Sequence, residues 1–595
     1  MRGKHKNMEK PKNFKKSILK LISYLKPYLV PIIISVLLAF VGSIFSIIGP
    51  DKIKEITNII VSGLTSSIDI DKIKSIVLFL ITIYGIGGIC TYLKNYIMAT
   101  ITNRFSKKMR GEISNKINSL PLKYFDKTSY GDILSRVTND VDTMSQTINQ
   151  SISTLVSSLT LLIGSIFMMF YTNWLLAITA ILSSLFGFVF MGIILAKSQK
   201  YFEKFQEEMG NLNGQIEETY TGHNIVKVYN GANLEIKEFD EINKNMFDSA
   251  MKAHFFSGLM QPFMSFIGNF SYVCVCVVGS SLALNGTISF GVIIAFIIYV
   301  RLFTQPLIEI AQVATNLQSA AAASERVFEF LKADDMSDES NLVKHLDKSK
   351  VQGNIEFNHV KFEYDKNKPI IKDFSMKAKS GNKIAIVGPT GAGKTTLVNL
   401  LMKFYDIKDG DILIDGVSIK DLTRENIHDL FIMVLQDTWL FEGTVKENII
   451  YNQENIPFER VKEVCKLVGL DHVIKSLNKS YDTVLCDNES LSAGEKQLLT
   501  IARGMLKDAP FLILDEATSS VDTRTEEIVQ RAMDKLTEGR TSFIIAHRLS
   551  TIKNADLILV LNEGNIVEQG THDELLKKNG FYATLYNSQF ESINK

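Results

Sequence analysis

The chain has 595 residues, 46% hydrophobic and 22% charged, which excludes a disordered protein and provides for several domains. The 65 basic and 64 acidic residues give a net charge of +1, which does not indicate a nucleic-acid partner. The mean hydropathy of +0.10 is intermediate between soluble and membrane proteins and predicts two halves of opposite character. The spacing of the five cysteines matches neither a metal site nor a set of disulfides, which fits a protein in a reducing compartment.

The N-terminal half contains six apolar runs long enough to cross a bilayer, for which about 20 residues are needed. These runs are Tyr28–Pro50, Ser75–Ile101, Ile152–Phe170, Trp174–Ala196, Met260–Leu284 and Phe290–Ile310. Any one of them could be a buried core helix. Six runs of this length predict a membrane α-helical bundle with six transmembrane helices.

Basic residues predict the orientation of this bundle. Nine lysines and arginines precede the first run against one acid, and the connection after the second run is also basic. The turns after the third and fifth runs contain none. We therefore expect a multi-pass protein of the plasma membrane with both termini in the cytoplasm. No small-residue cleavage site follows the first run, so we expect an uncleaved first helix.

The connections at residues 102–151 and 197–254 are polar and helical in pattern, so the membrane helices are expected to continue into the cytoplasm. Thr128–Asp132 and Ala232–Glu238 are candidate crosspieces at the ends of these extensions. Farther along, short apolar strands alternate with helical segments, which predicts a soluble α/β domain with a largely parallel sheet. The expected organisation is a cytoplasmic segment at 1–27, a transmembrane domain at 28–325, a linker at 326–352 and the α/β domain at 353–590.

A phosphate-binding loop is predicted by the run from Gly388 to Thr395, which matches G-x-x-x-x-G-K-[ST]. The run follows the strand Lys383–Val387 and opens the helix Thr395–Lys403. Backbone N–H groups and the helix N-terminus would surround the phosphates, with Lys394 reaching the β- and γ-phosphates. A glycine-rich turn with a chance lysine is the alternative, which the order of strand, loop and helix disfavours.

Two adjacent carboxylates follow the apolar strand Phe511–Leu514. Asp515 is expected to hold Mg²⁺ together with the Thr395 hydroxyl, and Glu516 is expected to polarise the attacking water. An apolar strand that ends in Asp-Glu is a weak signal alone. Its position after a phosphate-binding loop makes it specific and predicts ATP and Mg²⁺ as ligands.

At this point the sequence resembles ABC transporters over nearly its whole length. Leu491–Glu495 is similar to the family signature LSGGQ, Gln436 to the Q-loop glutamine and Asp522 to the D-loop aspartate. By the same resemblance His547 is the switch histidine and Tyr364 the aromatic residue that stacks on adenine. The resemblance implies that Glu516 and His547 are catalytic and that Thr395, Gln436 and Asp515 hold the metal. The full set implied to bind ATP is Tyr364, Gly388, Pro389, Thr390, Gly391, Ala392, Gly393, Lys394, Thr395, Thr396, Gln436 and Asp515.

The signature departs from LSGGQ at two positions, although Ser492 and Gly494 are kept. Ala493 replaces a glycine and Glu495 a glutamine. In the family, this segment completes the ATP site of the opposite subunit. A complete set of its own site residues beside an altered signature resembles the catalytically complete subunit of bacterial heterodimeric multidrug exporters. A heterodimer is therefore favoured, and a homodimer remains the alternative.

The resemblance implies ATP-driven export of a hydrophobic or amphipathic drug, lipid or peptide by alternating access. Arg301 and Glu309 are ionisable residues in or after the sixth run, and both structural pairing and substrate contact are open for them. Two alternatives remain, a homodimeric lipid flippase and an ATP-gated membrane regulator that transports nothing. A peptide exporter with a fused protease is disfavoured, because no cysteine precedes Cys90.

Overall fold

The computed structural model describes residues 13–64, 67–365, 368–436, 438–485, 491–515, 523–546 and 552–590. Its contacts divide the chain into two compact units. The first unit contains the residues up to Asn118 together with Ser129–Ala333. The second unit contains Ser119–Thr128 and the residues from Asp334 onward.

Helices account for the regular structure of the described residues before Asp334. Along the chain they are α1 (Phe14–Leu25), α2 (Leu29–Gly63), α3 (Ile70–Ser119), α4 (Leu122–Phe125), α5 (Tyr130–Ser135), α6 (Val141–Thr172), α7 (Trp174–Thr221), α8 (His223–Val228), α9 (Ala232–Gly258), α10 (Met260–Leu284) and α11 (Phe290–Leu331). Short 3₁₀ and π segments lie at Lys26–Tyr28 and Arg136–Asp140. Of these helices, α4 falls within the second unit.

Six helical stretches in the described residues are long and apolar enough to cross a membrane, as predicted. They are Phe14–Gly63, Ile70–Ser119, Tyr130–Thr172, Trp174–Thr221, Ser265–Leu284 and Phe290–Leu331. Within lipid, a helix satisfies its backbone N–H and C=O groups internally, which is why each apolar run folds in this way.

The helices extend well beyond their apolar runs. Helix α3 has 50 residues and α7 has 48, more than twice what a bilayer requires. The polar part of α7 is held against α9 by specific contacts. The Glu235 carboxylate accepts hydrogen bonds from Gln215 Nε2 at 2.8 Å and Thr219 Oγ1 at 2.9 Å. The rings of Tyr201 and Phe256 stack 5.5 Å apart. Such contacts stabilise helix where no bilayer does.

The predicted crosspieces agree only in part with the short helices of the structure. Helix α5 overlaps the predicted Thr128–Asp132, and α4 lies just before it. Helix α8 precedes the second predicted crosspiece, since Ala232 begins the long helix α9. Pro121 is the N-terminal cap of α4 and separates it from α3. Proline has no backbone N–H and therefore cannot donate the hydrogen bond that would continue α3. Gly222 and Gly231 bracket the second short segment. The prediction is therefore several residues too late for the second crosspiece, whereas the first overlaps a short helix.

The second unit is built on one ten-stranded sheet of order β5-β4-β1-β2-β12-β11-β3-β10-β9-β6, with a separate pair β7-β8. The strands are β1 (Ile355–Glu363), β2 (Pro369–Ala378), β3 (Lys383–Val387), β4 (Asp409–Ile414), β5 (Val417–Ser418), β6 (Phe431–Val434), β7 (Gly443–Thr444), β8 (Val484–Leu485), β9 (Phe511–Asp515), β10 (Thr541–Ile545), β11 (Leu557–Asn562) and β12 (Asn565–Gly570). The helices are α12 (Lys394–Leu401), α13 (Arg424–Leu430), α14 (Val445–Ile450), α15 (Phe458–Leu467), α16 (Asp471–Ser476), α17 (Ala493–Lys507), α18 (Thr523–Thr537), α19 (His572–Lys577) and α20 (Phe581–Phe590).

The central strands of this sheet are parallel and in register. Ile545 in β10 pairs with Ile386 in β3 on one side and with Asp515 in β9 on the other. In turn, Val434 in β6 pairs with Leu514. Strands β9 and β10 are buried on both faces, as is typical of a parallel sheet covered by helices. The carboxyl ends of four strands therefore meet at one edge, where ligands bind in such sheets.

The charged segment after α11 is held on the second unit by buried ion pairs. Glu339 accepts from Lys403 Nζ at 2.9 Å and from the Arg424 guanidinium at 2.7 Å. The Lys403 side chain is only 8% exposed and that of Arg424 13%. The Lys403 ammonium also donates to the Leu422 carbonyl at 2.7 Å. The expected linker 326–352 thus begins in helix α11 and continues as a fixed part of the α/β unit.

In the first unit, a carboxylate is buried where α6 begins. Asp140 accepts two hydrogen bonds from Arg326 in α11, one of them from Nε at 3.0 Å. The Asp140 side chain is 6% exposed, whereas that of Arg326 is 43% exposed. Such a bidentate pair is directional and joins the polar ends of α6 and α11.

We expect Asp140→Asn to lower the free energy of unfolding by about 1–3 kcal/mol, because it removes a charged acceptor at a buried position. Denaturant unfolding of the purified chain in detergent measures the change. Asp142→Asn is the matched control, since Asp142 pairs with Arg110 at 2.6 Å but both side chains are about half exposed. That exposed pair should contribute less than about 1 kcal/mol. Equal losses in the two variants would contradict the role assigned to Asp140.

Candidate functional site

The predicted phosphate loop connects β3 to α12 at the carboxyl edge of the sheet. The helix begins at Lys394 and ends at Leu401, which differs slightly from the predicted Thr395–Lys403. Gly393 precedes it with a φ of +100°, in the left-handed region that favours glycine. The first turn of α12 therefore faces the loop with backbone N–H groups that have no partner within the helix.

Gly388 occupies the point where the loop leaves β3. A Cβ atom at this position would lie 2.3 Å from the carbonyl oxygen of Leu561 in β11. A side chain there would have to displace the backbone of β11. The first glycine of the loop is thus required by close packing, in addition to any contact with phosphate.

The Lys394 ammonium lies across the loop. It donates to the carbonyl oxygens of Gly388 at 2.8 Å and Pro389 at 3.1 Å. Burial lowers the pKa of Lys394, and the nearby negative charge of Asp515 opposes that shift. The lysine and the carboxylate predicted to act at the same site are therefore electrostatically close in the structure.

Three predicted metal-binding residues lie at the ends of elements that the sheet brings together. Thr395 is in the first turn of α12, Asp515 ends β9, and Gln436 follows β6 by two residues. Hydroxyl, carboxylate and amide oxygens are ligands that suit Mg²⁺. The described residues contain no cluster of three histidine, cysteine, aspartate or glutamate side chains suited to a metal. The three predicted residues supply only oxygen donors, which suit Mg²⁺.

Tyr364 lies beside the phosphate-loop helix. Its hydroxyl is 3.2 Å from Thr396 Oγ1, and Thr396 is buried in α12. The ring packs edge-on against Phe362 at 4.8 Å and against Tyr405 at 5.0 Å between ring centroids. The structure thus brings Tyr364 to the loop region, where its stacking on adenine remains a prediction.

The altered signature forms the N-terminus of α17. Ser492 is the N-cap, and its hydroxyl accepts from the Glu495 N–H at 3.3 Å. The Glu495 carboxylate accepts in return from the Ser492 N–H at 2.7 Å. This reciprocal arrangement is a capping box, in which glutamate and glutamine serve equally. Ala493 is exposed and Gly494 is buried. Glu495, one of the two residues that depart from the signature, thus has a local structural role.

Three predicted site residues, Glu516, Asp522 and His547, lie outside the described residues. Their roles stay predictions from the sequence. Two residues near the site were not predicted at all. Tyr405 packs on Tyr364, and Asp126 accepts a hydrogen bond from the Tyr405 hydroxyl. Because these two residues are 279 positions apart in sequence, no local pattern indicates their contact.

Two family models match the chain. The model of the ABC transporter transmembrane region matches residues 32–307, and that of the ABC transporter matches residues 371–519. The matches fall on the apolar helices and on the α/β unit.

Three bacterial proteins of similar length resemble the chain. The "Uncharacterized ABC transporter ATP-binding protein YfiC" of Bacillus subtilis is 39% identical, over 98% of this chain and 96% of that protein. The "Fatty acid ABC transporter ATP-binding/permease protein" of Mycobacterium bovis is 41% identical, over 87% of this chain and 81% of that protein. The "ATP-dependent lipid A-core flippase" of Syntrophus aciditrophicus is 34% identical, over 88% of this chain and 86% of that protein.

A six-helix membrane bundle fused to a nucleotide-binding α/β domain defines a transporter that couples ATP hydrolysis to transport. The chain belongs to the ABC transporter family, as a half-transporter of the exporter type. Its class of activity is thereby established, and it is a multi-pass membrane protein.

We expect Lys394→Ala to weaken ATP binding at least about tenfold as well as to slow hydrolysis, because a charged hydrogen-bond donor is lost. Binding of a fluorescent ATP analogue to the purified chain measures the affinity. Lys377→Ala is the control, since Lys377 is 76% exposed on β2 and pairs only at the surface. Unchanged affinity in Lys394→Ala would contradict the assignment of the phosphate loop.

We expect Glu495→Ala to increase hydrogen exchange in the first turn of α17, because it removes one half of the capping box. The loss corresponds to about 0.5–1.5 kcal/mol of local stability. Glu495→Gln is the matched variant and should retain protection, since an amide oxygen also accepts from the Ser492 N–H. Hydrogen exchange followed by mass spectrometry measures both. Equal deprotection in the two variants would exclude the capping role.

Proposed function

We propose that the chain is one subunit of a heterodimeric exporter that moves an amphipathic, lipid-like substrate across the plasma membrane. The observation that carries the proposal is the fusion, in one chain, of six apolar helices to one phosphate-loop domain with an altered signature. The relatives named for fatty acid transport and for lipid A-core flipping support a substrate with acyl chains. A drug-like amphiphile shares this chemistry.

In this proposal the residues at the sheet edge bind and hydrolyse ATP. The backbone N–H groups of residues 388–396 other than Pro389, which has none, bind the phosphates together with the Lys394 ammonium, and Tyr364 stacks on adenine. Thr395, Gln436 and Asp515 would hold Mg²⁺, which would neutralise phosphate charge when bound. Glu516 accepts the proton of the attacking water, and His547 contacts the terminal phosphate.

The dimer brings the signature of one subunit to the ATP of the other. Ala493 adds a methyl group where the backbone has to approach phosphate closely. Glu495 adds negative charge at the same helix N-terminus, which opposes the attraction of that end for anions. Both effects act on the partner's ATP site and leave the site containing Glu516 intact. This asymmetry is the reason for favouring a heterodimer.

In the membrane half, the contacts of Glu309 support a structural role. Glu309 in α11 accepts from Ser158 in α6 at 2.6 Å and from Gln305 at 3.0 Å. These bonds account for a carboxylate near the end of the sixth span without a substrate. Arg301 is exposed in the chain and stays the better candidate for substrate contact.

The orientation follows from the basic residues before the first helix and after the second. In this proposal both termini and the nucleotide-binding unit lie in the cytoplasm. ATP binding draws the two nucleotide units together, hydrolysis releases them, and the cavity between the membrane helices faces alternately inward and outward.

The purified chain should hydrolyse ATP negligibly by itself, and Ala493→Gly with Glu495→Gln should not restore its activity. Adding the partner subunit should restore hydrolysis, and Glu516→Gln in that complex should reduce it by about 10²–10⁴-fold while ATP still binds. Steady-state ATPase measurements on the lone chain and the complex test this. Robust activity of the lone chain, increased by the signature repair, would establish a homodimer instead.

Transport is tested separately in proteoliposomes of phosphatidylethanolamine and phosphatidylglycerol. ATP should drive movement of a fluorescent long-chain fatty acid or acyl lipid, and the Glu516→Gln complex should not support it. If ATP drives movement of a cationic amphiphilic dye but not of the lipid probes, the substrate is drug-like and the proposal of a lipid-like substrate is wrong. Full ATPase activity without movement of either probe would favour the non-transporting regulator.

A further inference from the structure

A short piece of the membrane half belongs, by its contacts, to the α/β unit. Residues Ser119–Thr128, which include α4, group with the second unit, although α3 and α5 flank them in sequence. The Met336 N–H donates to the Ser119 carbonyl at 2.9 Å, which fixes the beginning of this segment. We call residues 119–128 the first crosspiece.

The end of the first crosspiece meets a buried tyrosine. The hydroxyl of Tyr405 donates to the carboxylate of Asp126. Tyr405 is 8% exposed and belongs to the apolar core that underlies the sheet. A buried tyrosine hydroxyl needs a hydrogen-bond partner, and the crosspiece carboxylate provides it.

The ring of the same tyrosine packs against the predicted adenine platform. Its centroid lies 5.0 Å from that of Tyr364, with the ring planes at 88°. It also packs edge-on against Phe362 at 5.6 Å. Edge-to-face packing of this kind fixes the orientation of the neighbouring ring. Rotation or displacement of Tyr405 would therefore displace Tyr364.

Beyond Tyr364 the contacts reach the phosphate-loop helix. The Tyr364 hydroxyl is 3.2 Å from Oγ1 of Thr396, one residue after the predicted metal-binding Thr395. Asp126, Tyr405, Tyr364 and Thr396 thus form one continuous series of contacts inside the second unit. The series joins a predicted base-binding ring and the phosphate-loop helix to a segment covalently continuous with two membrane helices.

The protonation of Tyr405 suits this connection. Burial, and then the hydrogen bond to Asp126, raise the pKa of Tyr405. The hydroxyl therefore keeps its proton at neutral pH and remains the donor in its hydrogen bond to Asp126.

A second contact of the crosspiece is different in kind. Lys127 Nζ lies 3.2 Å from a carboxylate oxygen of Asp365, beside Tyr364 in sequence, and both side chains are about 60% exposed. Exposed pairs of this type contribute little. This pair provides a control within the same segment.

We propose that Tyr405 is a positioning residue that links the nucleotide-binding ring Tyr364 to the first crosspiece through Asp126. The proposal rests on the proposed binding of adenine by Tyr364. Nucleotide binding and the ordering of the crosspiece then stabilise each other, since coupling between two sites is reciprocal. The Lys127–Asp365 pair has no part in this coupling.

The test uses the full chain in lipid nanodiscs and a non-hydrolysable ATP analogue, so that neither hydrolysis nor an identified substrate is needed. The readouts are hydrogen exchange of residues 119–128 with and without the analogue, and the affinity for the analogue. In the unaltered chain the analogue should protect the crosspiece. Tyr405→Phe keeps the ring and should bind the analogue, yet the protection should fall by about fivefold or more.

Asp126→Ala should have the same effect as Tyr405→Phe, and the double variant should be no worse than either, because both remove one interaction. Asp126→Asn retains an acceptor oxygen and should restore most of the protection. Lys127→Ala should behave like the unaltered chain. Tyr405→Leu, which removes the ring, should in addition weaken binding of the analogue.

Protection of the crosspiece that survives Tyr405→Phe would overturn the proposal, as would additive effects of the two single changes. Absence of analogue-induced protection in the unaltered chain, with the analogue bound, would overturn it too. A fault in the assignment of Tyr364 would appear differently. In that case Tyr364→Leu would leave the affinity for the analogue unchanged.

Discussion

The in-register pairing of the central parallel strands is the constraint on which the nucleotide site depends. Ile545 lies level with Ile386 and with Asp515, so the phosphate loop and the carboxylate strand end at one edge. Close packing on both faces stabilises this register, because a slip of one residue would move every side chain to the opposite face, where the neighbouring side chains have different shapes. Such a slip would also remove Asp515 from the neighbourhood of Lys394. The relative position of Asp515 and Lys394 thus depends on the buried apolar residues of the central strands.

Much of the architecture could be predicted because it is encoded locally. Bilayer thickness sets the length of an apolar run, and the glycine spacing of residues 388–393 encodes a loop of known geometry. The ends of the short crosspieces depend on a few residues such as Pro121 and Gly222. The polar composition of the whole connection predicts helix there but does not show where the short helices begin and end. The contact of Tyr405 with Asp126 joins distant parts of the chain, and only the tertiary structure reveals it.

Glu495 in the signature suits the stability of its own helix better than it suits an ATP site shared with a second subunit. Within the chain, Glu495 closes a capping box at the start of α17 and fits its position. Across a dimer interface, the same carboxylate would lie near a partner's phosphate, where its charge is unfavourable. The stability of the helix therefore does not disfavour glutamate at position 495. Only the function of the ATP site shared by two subunits would disfavour it. A subunit whose partner carries the weaker site tolerates the change.

Helix α3 runs for 50 residues without an internal proline and ends at the first crosspiece. At the rise of an α-helix this is about 75 Å. A rod of that length acts as a lever, so a tilt of about 5° at one end displaces the other by about 6 Å if the helix stays straight. A change of direction that is small at the first crosspiece therefore becomes a displacement as large as a side chain at the opposite end of the helix. The length of the helix provides mechanical amplification.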